Sequence, residues 1–301
     1  MRAFTVLALL LALASTSGCR RQRRRPPAVG VAPSPDAALE HREEGLRFWV
    51  LPDERAALRE VLRSSPLVLG VGELHQKTGS AKVPSAIARF AGPLLQGLAP
   101  STSDLIVETW VTEGRCGREE REVARQVEVT TERPAATENE VIGLLRRAKT
   151  MGVQPHILTV SCEEYQRLLG DGKEVDYEKL LTLVTRQLER EAGRAWRRRR
   201  PPGPDPGPSA RRLIVLYGGA LHNDRFPPAE ELRPFSYAGA LDKLSGARFV
   251  EVDLYVPEYL AGDAELARQP WFPIFRRHAS AKRLLLIERG ERSFILVFPK
   301  S

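Results

Sequence analysis

Four side chains in this sequence have the types and spacing to act together: Glu73, His75, Glu108 and His222. Glu73 and His75 follow the apolar run Pro66-Leu67-Val68-Leu69-Gly70-Val71-Gly72, and His222 follows a second run, Leu213-Ile214-Val215-Leu216-Tyr217-Gly218-Gly219. Each run closes in Gly-x-x-His, Gly72 with His75 and Gly219 with His222. Glu108 ends a further run, Asp104-Leu105-Ile106-Val107. Two imidazoles and two carboxylates form a donor set that zinc accepts at about 2.0–2.2 Å, and manganese or cobalt would take a similar one. A divalent metal with an open position makes its bound water a nucleophile near neutral pH. Without a metal, one imidazole serves as general base, oriented by Glu108. A lone histidine after a strand is more often a polar residue satisfied by nearby backbone, and Glu108 could simply pair with an arginine. The repetition of the motif is what points to a site.

These groups must be positioned by the elements that carry them. Short, nearly continuous apolar runs are the pattern of strands buried on both faces of a parallel sheet. Open α/β sheets gather ligands at the carboxyl ends of their strands. Parallel strands would then share one rim carrying Glu73, His75, Glu108, His222, Asn223 and Asp224, with Ser161 and Cys162 after the strand at 156–160. Between the strands, Pro52-Asp53 opens a helix through 63, and Pro84 begins one that bends at Pro93. Thr137-Glu138-Asn139-Glu140 reads as a capping box for a helix to 151, and Asp176 caps a long helix to about 196. Asp36 caps a short helix to 45, which would contain His41. Residues 249–255 alternate with period two, and 283–287 with 294–298 form a hairpin around Arg289-Gly290-Glu291. The expected class is α/β: a mostly parallel central sheet, helices on both faces, and a C-terminal antiparallel hairpin. His156 starts its strand at the far end of the sheet, and His278 sits in a basic turn. Asp253, inside a strand, reads as a buried partner or a fifth group of the site.

The 301 residues suffice for one such domain, over 36–301. The formal charge of +8 is concentrated in tracts: Arg2, Arg20, Arg21, Arg23, Arg24 and Arg25 at the start, and an arginine-rich stretch at 194–212 opposed only by Asp205. Elsewhere the chain is slightly acidic. A nucleic-acid binder would interleave basic and aromatic residues over a face, so nucleic acid is not expected as a partner. Residues 1–19 have a short basic start, an apolar stretch at 6–14 and small residues before Cys19, the pattern of an export signal with a lipobox-like end. Lipidated Cys19 would anchor the protein, and the arginines of a basic, proline-rich tether at 20–35 would lie against anionic headgroups. The expected location is a bacterial cell envelope, facing the periplasm or exterior. The low-complexity stretch at 197–210 reads as an insertion within the single domain. Cys116 and Cys162 then remain, bridged or free, in an oxidising compartment.

Gly72-Glu73-Leu74-His75 after a buried strand, the acidic end Val107-Glu108, and Gly218-Gly219-Ala220-Leu221-His222 together resemble the group joining the erythromycin esterases, the haem-binding ChaN-like proteins and the Tiki/TraB proteins. The resemblance covers about 67–224. The Gly-Glu-x-His spacing is similar to the ChaN-like opening motif, and ChaN-like proteins are also lipoproteins. The paired Gly-x-x-His motifs resemble those of Tiki-like metal-dependent proteases. What the resemblance implies is a metal-dependent hydrolase site at Glu73, His75, Glu108 and His222, acting on an ester or peptide bond of a small molecule or peptide. The ChaN-like alternative is haem or iron binding without catalysis, for which Tyr217 is the tyrosine placed to serve as axial ligand. A non-catalytic envelope protein is the third reading.

Overall fold

Among the described residues, nine strands form one sheet in the order β1-β2-β8-β9-β7-β3-β6-β4-β5. They are β1 (Glu40–Glu43), β2 (Leu46–Leu51), β3 (Val68–Glu73), β4 (Thr102–Glu113), β5 (Gln154–Ser161), β6 (Leu213–Gly219), β7 (Phe249–Tyr255), β8 (Leu284–Gly290) and β9 (Ser293–Val297). The computed structural model describes residues 40–77, 82–132, 134, 136–170, 174–198, 212–260 and 263–301. The expected signal, Cys19 and the tether lie outside these residues, as does all of the expected insertion except Arg197 and Arg198, which close a helix. The chain from Ala38 to Ser301 packs as one compact unit. No helix of the described residues is long and apolar enough to cross a membrane.

The sheet is parallel from β9 through β7, β3, β6 and β4 to β5. Antiparallel pairing is confined to one side, where β8 joins β9, β2 joins β8, and β1 is outermost. Every residue of β3, β6 and β7 is buried, because helices cover both faces there. On one face Leu69, Val71, Val215 and Tyr217 meet the helices Glu54–Val61, Ala86–Arg89 and Ala136–Thr150 through Ala57, Ile87 and Leu144. On the other, Val68, Ile106, Ile214 and Leu216 meet Cys162–Leu169, Tyr177–Arg198 and Ala238–Leu244 through Leu168, Val184 and Leu241. Such two-sided burial is why these strands lack a polar face.

Two local expectations fail. The segment at 36–45 was expected to form a helix, but its described part is a hairpin: Glu44 and Gly45 both take positive φ and turn β1 back onto β2. That turn geometry suits the right-handed twist of paired strands. His41 therefore lies in β1, with its ring stacked on Phe48 at 5.0 Å. The capping box expected at 137–140 also does not form. The helix Ala136–Thr150 begins ahead of Thr137, and Glu140 instead accepts a 2.6 Å hydrogen bond from Ser85 of another helix cap. A reciprocal box does occur at Ser161 and Glu164, opening Cys162–Leu169. The bend expected at Pro93 is a π-turn, Phe90–Leu94, set between two short helical turns.

At the amino ends of the strands, Asp104 accepts from His156 at 2.8 Å and from Arg198 at 3.1 Å. Burial alone would raise the Asp104 carboxyl, but the hydrogen bonds from His156, Ser103 and Arg198 outweigh it and hold it at about 2. His156 is thus a structural partner, remote from the carboxyl-end rim.

Cys116 and Cys162 are joined, with their Cα atoms 4.9 Å apart. The bond closes a sequence separation of 46 residues, which in the chain-entropy treatment stabilises by up to about 4 kcal/mol. Alkylation of denatured, unreduced protein is expected to leave both cysteines unlabelled, and the double Cys→Ala variant should melt lower. Labelling of both without reductant would refute the bond.

Candidate functional site

The parallel register puts Glu73 opposite Gly219 and Val71 opposite Tyr217. Glu73 and Tyr217 consequently stand on the same face of neighbouring strands. Glu73 is buried, and both its oxygens are engaged: Oε1 with His75 Nδ1 at 2.8 Å, Oε2 by the Tyr217 hydroxyl, which donates to it. A carboxylate can only accept, so this contact places the ring proton on Nδ1 and leaves the lone pair of the neutral imidazole on Nε2. The His75 side chain is 27% exposed, which makes its ring the accessible member of the pair.

Glu108 arrives from the opposite face. The sequence places it at the end of its strand; the structure corrects this, because β4 runs on to Glu113. Its pairing with β5 jumps from Val107–Ile157 to Trp110–Leu158, so Glu108 and Thr109 are additional residues on the β4 side, and pairing with β6 stops at Val107. A bulge of this kind re-aims a side chain without ending the strand. Here it turns Glu108 over Gly218 and Gly219. A Cβ on Gly218 would collide with Glu108 Oε2, a position that oxygen could not share. Oε2 accepts from the Gly219 backbone N–H at 2.6 Å.

His222 follows on the short helix Ala220–Asn223. Its Nδ1 lies 3.0 Å from the Phe235 carbonyl and 2.9 Å from the Thr185 hydroxyl. A carbonyl only accepts, so Nδ1 carries a proton and Nε2 is turned toward Glu108 Oε1, 3.7 Å away. His222 is almost fully buried. The two carboxylate–imidazole pairs meet at Gly219. A Cβ there would sit 2.9 Å from His75 Nε2 and 3.6 Å from Glu108 Oε2. The four residues expected from the sequence are therefore brought together around one backbone position.

Other expected rim residues go elsewhere. Ser161 is consumed as a helix cap and Cys162 in the disulfide. Asn223, Asp224 and Asp253 join Glu251 and Arg289 in a second, buried cluster. Asn223 Nδ2 donates to Asp253 Oδ1 at 3.0 Å, Arg289 donates to Glu251 and Asp224, and the Arg225 N–H donates to Glu251 at 2.8 Å. One guanidinium faces three buried carboxylates. Burial first, and then the Asp253 charge, push the Glu251 carboxyl well up despite Arg289. Burial likewise lifts Asp253 to about 6, with Asp224 adding to it and Arg289 and Asn223 opposing. This cluster ties residues 223–225, next to His222, to β7 and β8. Sequence reasoning missed Glu251, Arg289 and Thr185, and the hydrogen bond from Tyr217 to Glu73. A period-two alternation of acid and apolar residues in β7 was the available signal, but it ordinarily marks a solvated face.

The donor set does not fit a metal as placed. Among the described residues no three His, Cys, Asp or Glu side chains converge on one point. The oxygens of Glu73 are taken by His75 and Tyr217, and those of Glu108 face Gly219 and His222. Tyr217 is also not presented as an axial haem ligand: it is buried, its hydroxyl is turned to Glu73, and its ring packs on Phe90. A cleft of about 620 Å³ between Cys162–Leu169 and Tyr177–Arg198 is lined by charged residues of both signs and includes none of the site residues.

No protein-family model matches this chain, and no curated protein matches it. Among solved structures it is similar to the type III effector HopBA1, at 13% identity, over 88% of this chain and 97% of that one, with a TM-score of 0.38. A likeness this weak carries no argument about activity.

The buried cluster has a measurable signature. A carboxyl whose folded pKa is raised binds its proton more tightly when folded, so stability is greatest below the unfolded value and falls as pH rises through the folded one. Stability is expected to decline between about pH 4 and 6, over the interval from an unfolded Asp to folded Asp253, lifted to about 6. Asp253→Asn should flatten that decline in denaturant titrations. An identical decline in the variant would remove the cluster as its source.

Proposed function

We propose that the protein is a hydrolase of an ester or peptide bond, working by acid–base chemistry at the carboxyl ends of β3, β4 and β6. The observation that carries this reading is the meeting of the Glu73–His75 and Glu108–His222 pairs at Gly219. His75 Nε2 takes a proton from water as it attacks the carbonyl carbon, and Glu73 stabilises the imidazolium through Nδ1–H. As the tetrahedral intermediate collapses, the bond to the leaving group breaks and that group takes the proton from His75 Nε2, which returns to its neutral form. Glu108 orients the attacking water. His222, held by Phe235 and Thr185, acts by orienting Glu108. No step of this scheme passes through a metal.

The proposal extends to kinship and place. Motifs at 72–75, 107–108 and 218–222 support membership of the ChaN-like, Tiki and erythromycin esterase group, and the pattern at 1–25 supports a lipid-anchored envelope protein that acts on small molecules or peptides.

Purified protein assayed against a panel of p-nitrophenyl esters and peptide amides should hydrolyse at least one class. His75→Ala is expected to lower kcat by about 10²–10⁴-fold, the usual contribution of a positioned base. Activity should survive exhaustive chelation. Activity lost on chelation and restored by zinc, manganese or cobalt would overturn the metal-free scheme. Full activity of His75→Ala would overturn the assignment of the base.

A further inference from the structure

Tyr217 reaches the proposed base through Glu73, and several packed groups hold it in place. Its hydroxyl donates to Glu73 Oε2, the oxygen that His75 does not use. Its ring is 2% exposed and lies against Phe90, with centroids 4.8 Å apart and planes at 34°. Phe90 is itself fixed in an unusual way, at the first position of the π-turn Phe90–Leu94. That turn arises where Gly92 leaves helical geometry (φ −85°, ψ −123°) ahead of Pro93, which cannot donate to the preceding turn. Phe90, Tyr217 and Glu73 all belong to the buried layer on one face of the sheet. The contacts therefore form one line: π-turn, Phe90 ring, Tyr217 ring, Tyr217 hydroxyl, Glu73, His75.

We propose that Tyr217 is a positioning residue for His75, acting through Glu73: its hydroxyl fixes the carboxylate in the rotamer that selects the Nδ1–H form of the imidazole. This rests on the reading of His75 as general base. A buried carboxylate held by one donor can rotate about its final torsion, which is broad for glutamate, whereas two donors from different elements fix its plane. A fixed plane keeps Oε1 in line with His75 Nδ1, so Nε2 points the same way in every molecule. Besides these two donors, Tyr259 is near enough to feel the Glu73 charge, which helps raise its pKa, though burial is the main cause. Tyr217 touches no substrate in this role and exchanges no proton in the reaction.

The test is Tyr217→Phe, which keeps the ring on Phe90 and removes only the donor. Two readouts are needed: steady-state kinetics on the best ester of the panel, and ¹⁵N NMR of the histidine rings, in which the Nδ1 and Nε2 shifts report the tautomer. The expected result is a fall in kcat of about tenfold or more with KM within twofold, together with mixed tautomers at His75 and unchanged signals from His156 and His278. A kcat equal to wild type, or an unaltered His75 tautomer in the variant, overturns the inference. Should the variant fail to fold, Phe90→Leu keeps the hydroxyl while loosening the ring, and it must show the same tautomer mixing to a smaller degree; an unmixed His75 there overturns the inference as well. His75→Ala run alongside separates the two levels. If it is inactive while Tyr217→Phe matches wild type, only the role of Tyr217 falls; if His75→Ala is fully active, the base assignment falls.

Discussion

The arrangement depends on the absence of side chains at two consecutive backbone positions. Gly218 and Gly219 end β6 between two strands that bring polar groups in from opposite faces of the sheet. Adding one carbon to Gly218 would collide with Glu108, and adding one to Gly219 would press on His75. Neither glycine is needed for a left-handed turn; Gly219 has φ −65° and ψ 141°, which any residue adopts. Their requirement is space. With that space, a carboxylate can lie across the strand end and take the Gly219 N–H, while an imidazole from the segment after β3 approaches the same point.

Burial then decides what each carboxylate needs. An unpaired acceptor in the interior costs about 1–3 kcal/mol, so every buried carboxylate must find donors. Glu73 finds two, one from the segment after its own strand and one from β6, Asp104 finds His156 and Arg198, and Glu108 finds a backbone N–H. The cluster of Asp224, Glu251 and Asp253 solves the problem differently, with one guanidinium among the three and with burial raising the pKa of Glu251 and Asp253. Site and cluster are joined through residues 222–225. The short helix Ala220–Asn223 is too brief to fix His222 by its own hydrogen bonds, and its neighbours are held by β7 and β8 instead. The C-terminal hairpin thereby contributes to the geometry of a site formed by earlier strands.

Much of this was legible in the chain. The two apolar runs ending in Gly-x-x-His gave β3 and β6 and the shared rim, because burial on both faces leaves an unbroken apolar pattern. Asp53, Asp176 and Pro93 marked local events that depend on a few neighbouring residues, and they occur where expected. What the chain concealed depends on partners distant in sequence. The bulge that re-aims Glu108 exists only relative to β5 and β6. The link from Tyr217 to Glu73 requires knowing that β6 lies beside β3. Asp253 read as a buried partner, but its companion Glu251 did not stand out, and the pair is interior because the helix Ala238–Leu244 and Arg289 cover that face. Asp36 suggested a helix cap, but over the described residues 40–45 pairing of β2 with β8 beyond the turn favours strand.

The most direct measurement of the central claim, that both carboxylate–imidazole pairs meet at Gly219, needs no substrate. Gly219→Ala is allowed by its backbone angles, so the fold should persist while the added methyl displaces the imidazole it would touch. Ring signals of the histidines in NMR spectra of the wild type and of this variant report the outcome. The account predicts shifts at both His75 and His222, the first by contact and the second through Glu108, with His156 and His278 unmoved. Unperturbed signals from His75 and His222 in a folded Gly219→Ala protein would contradict it.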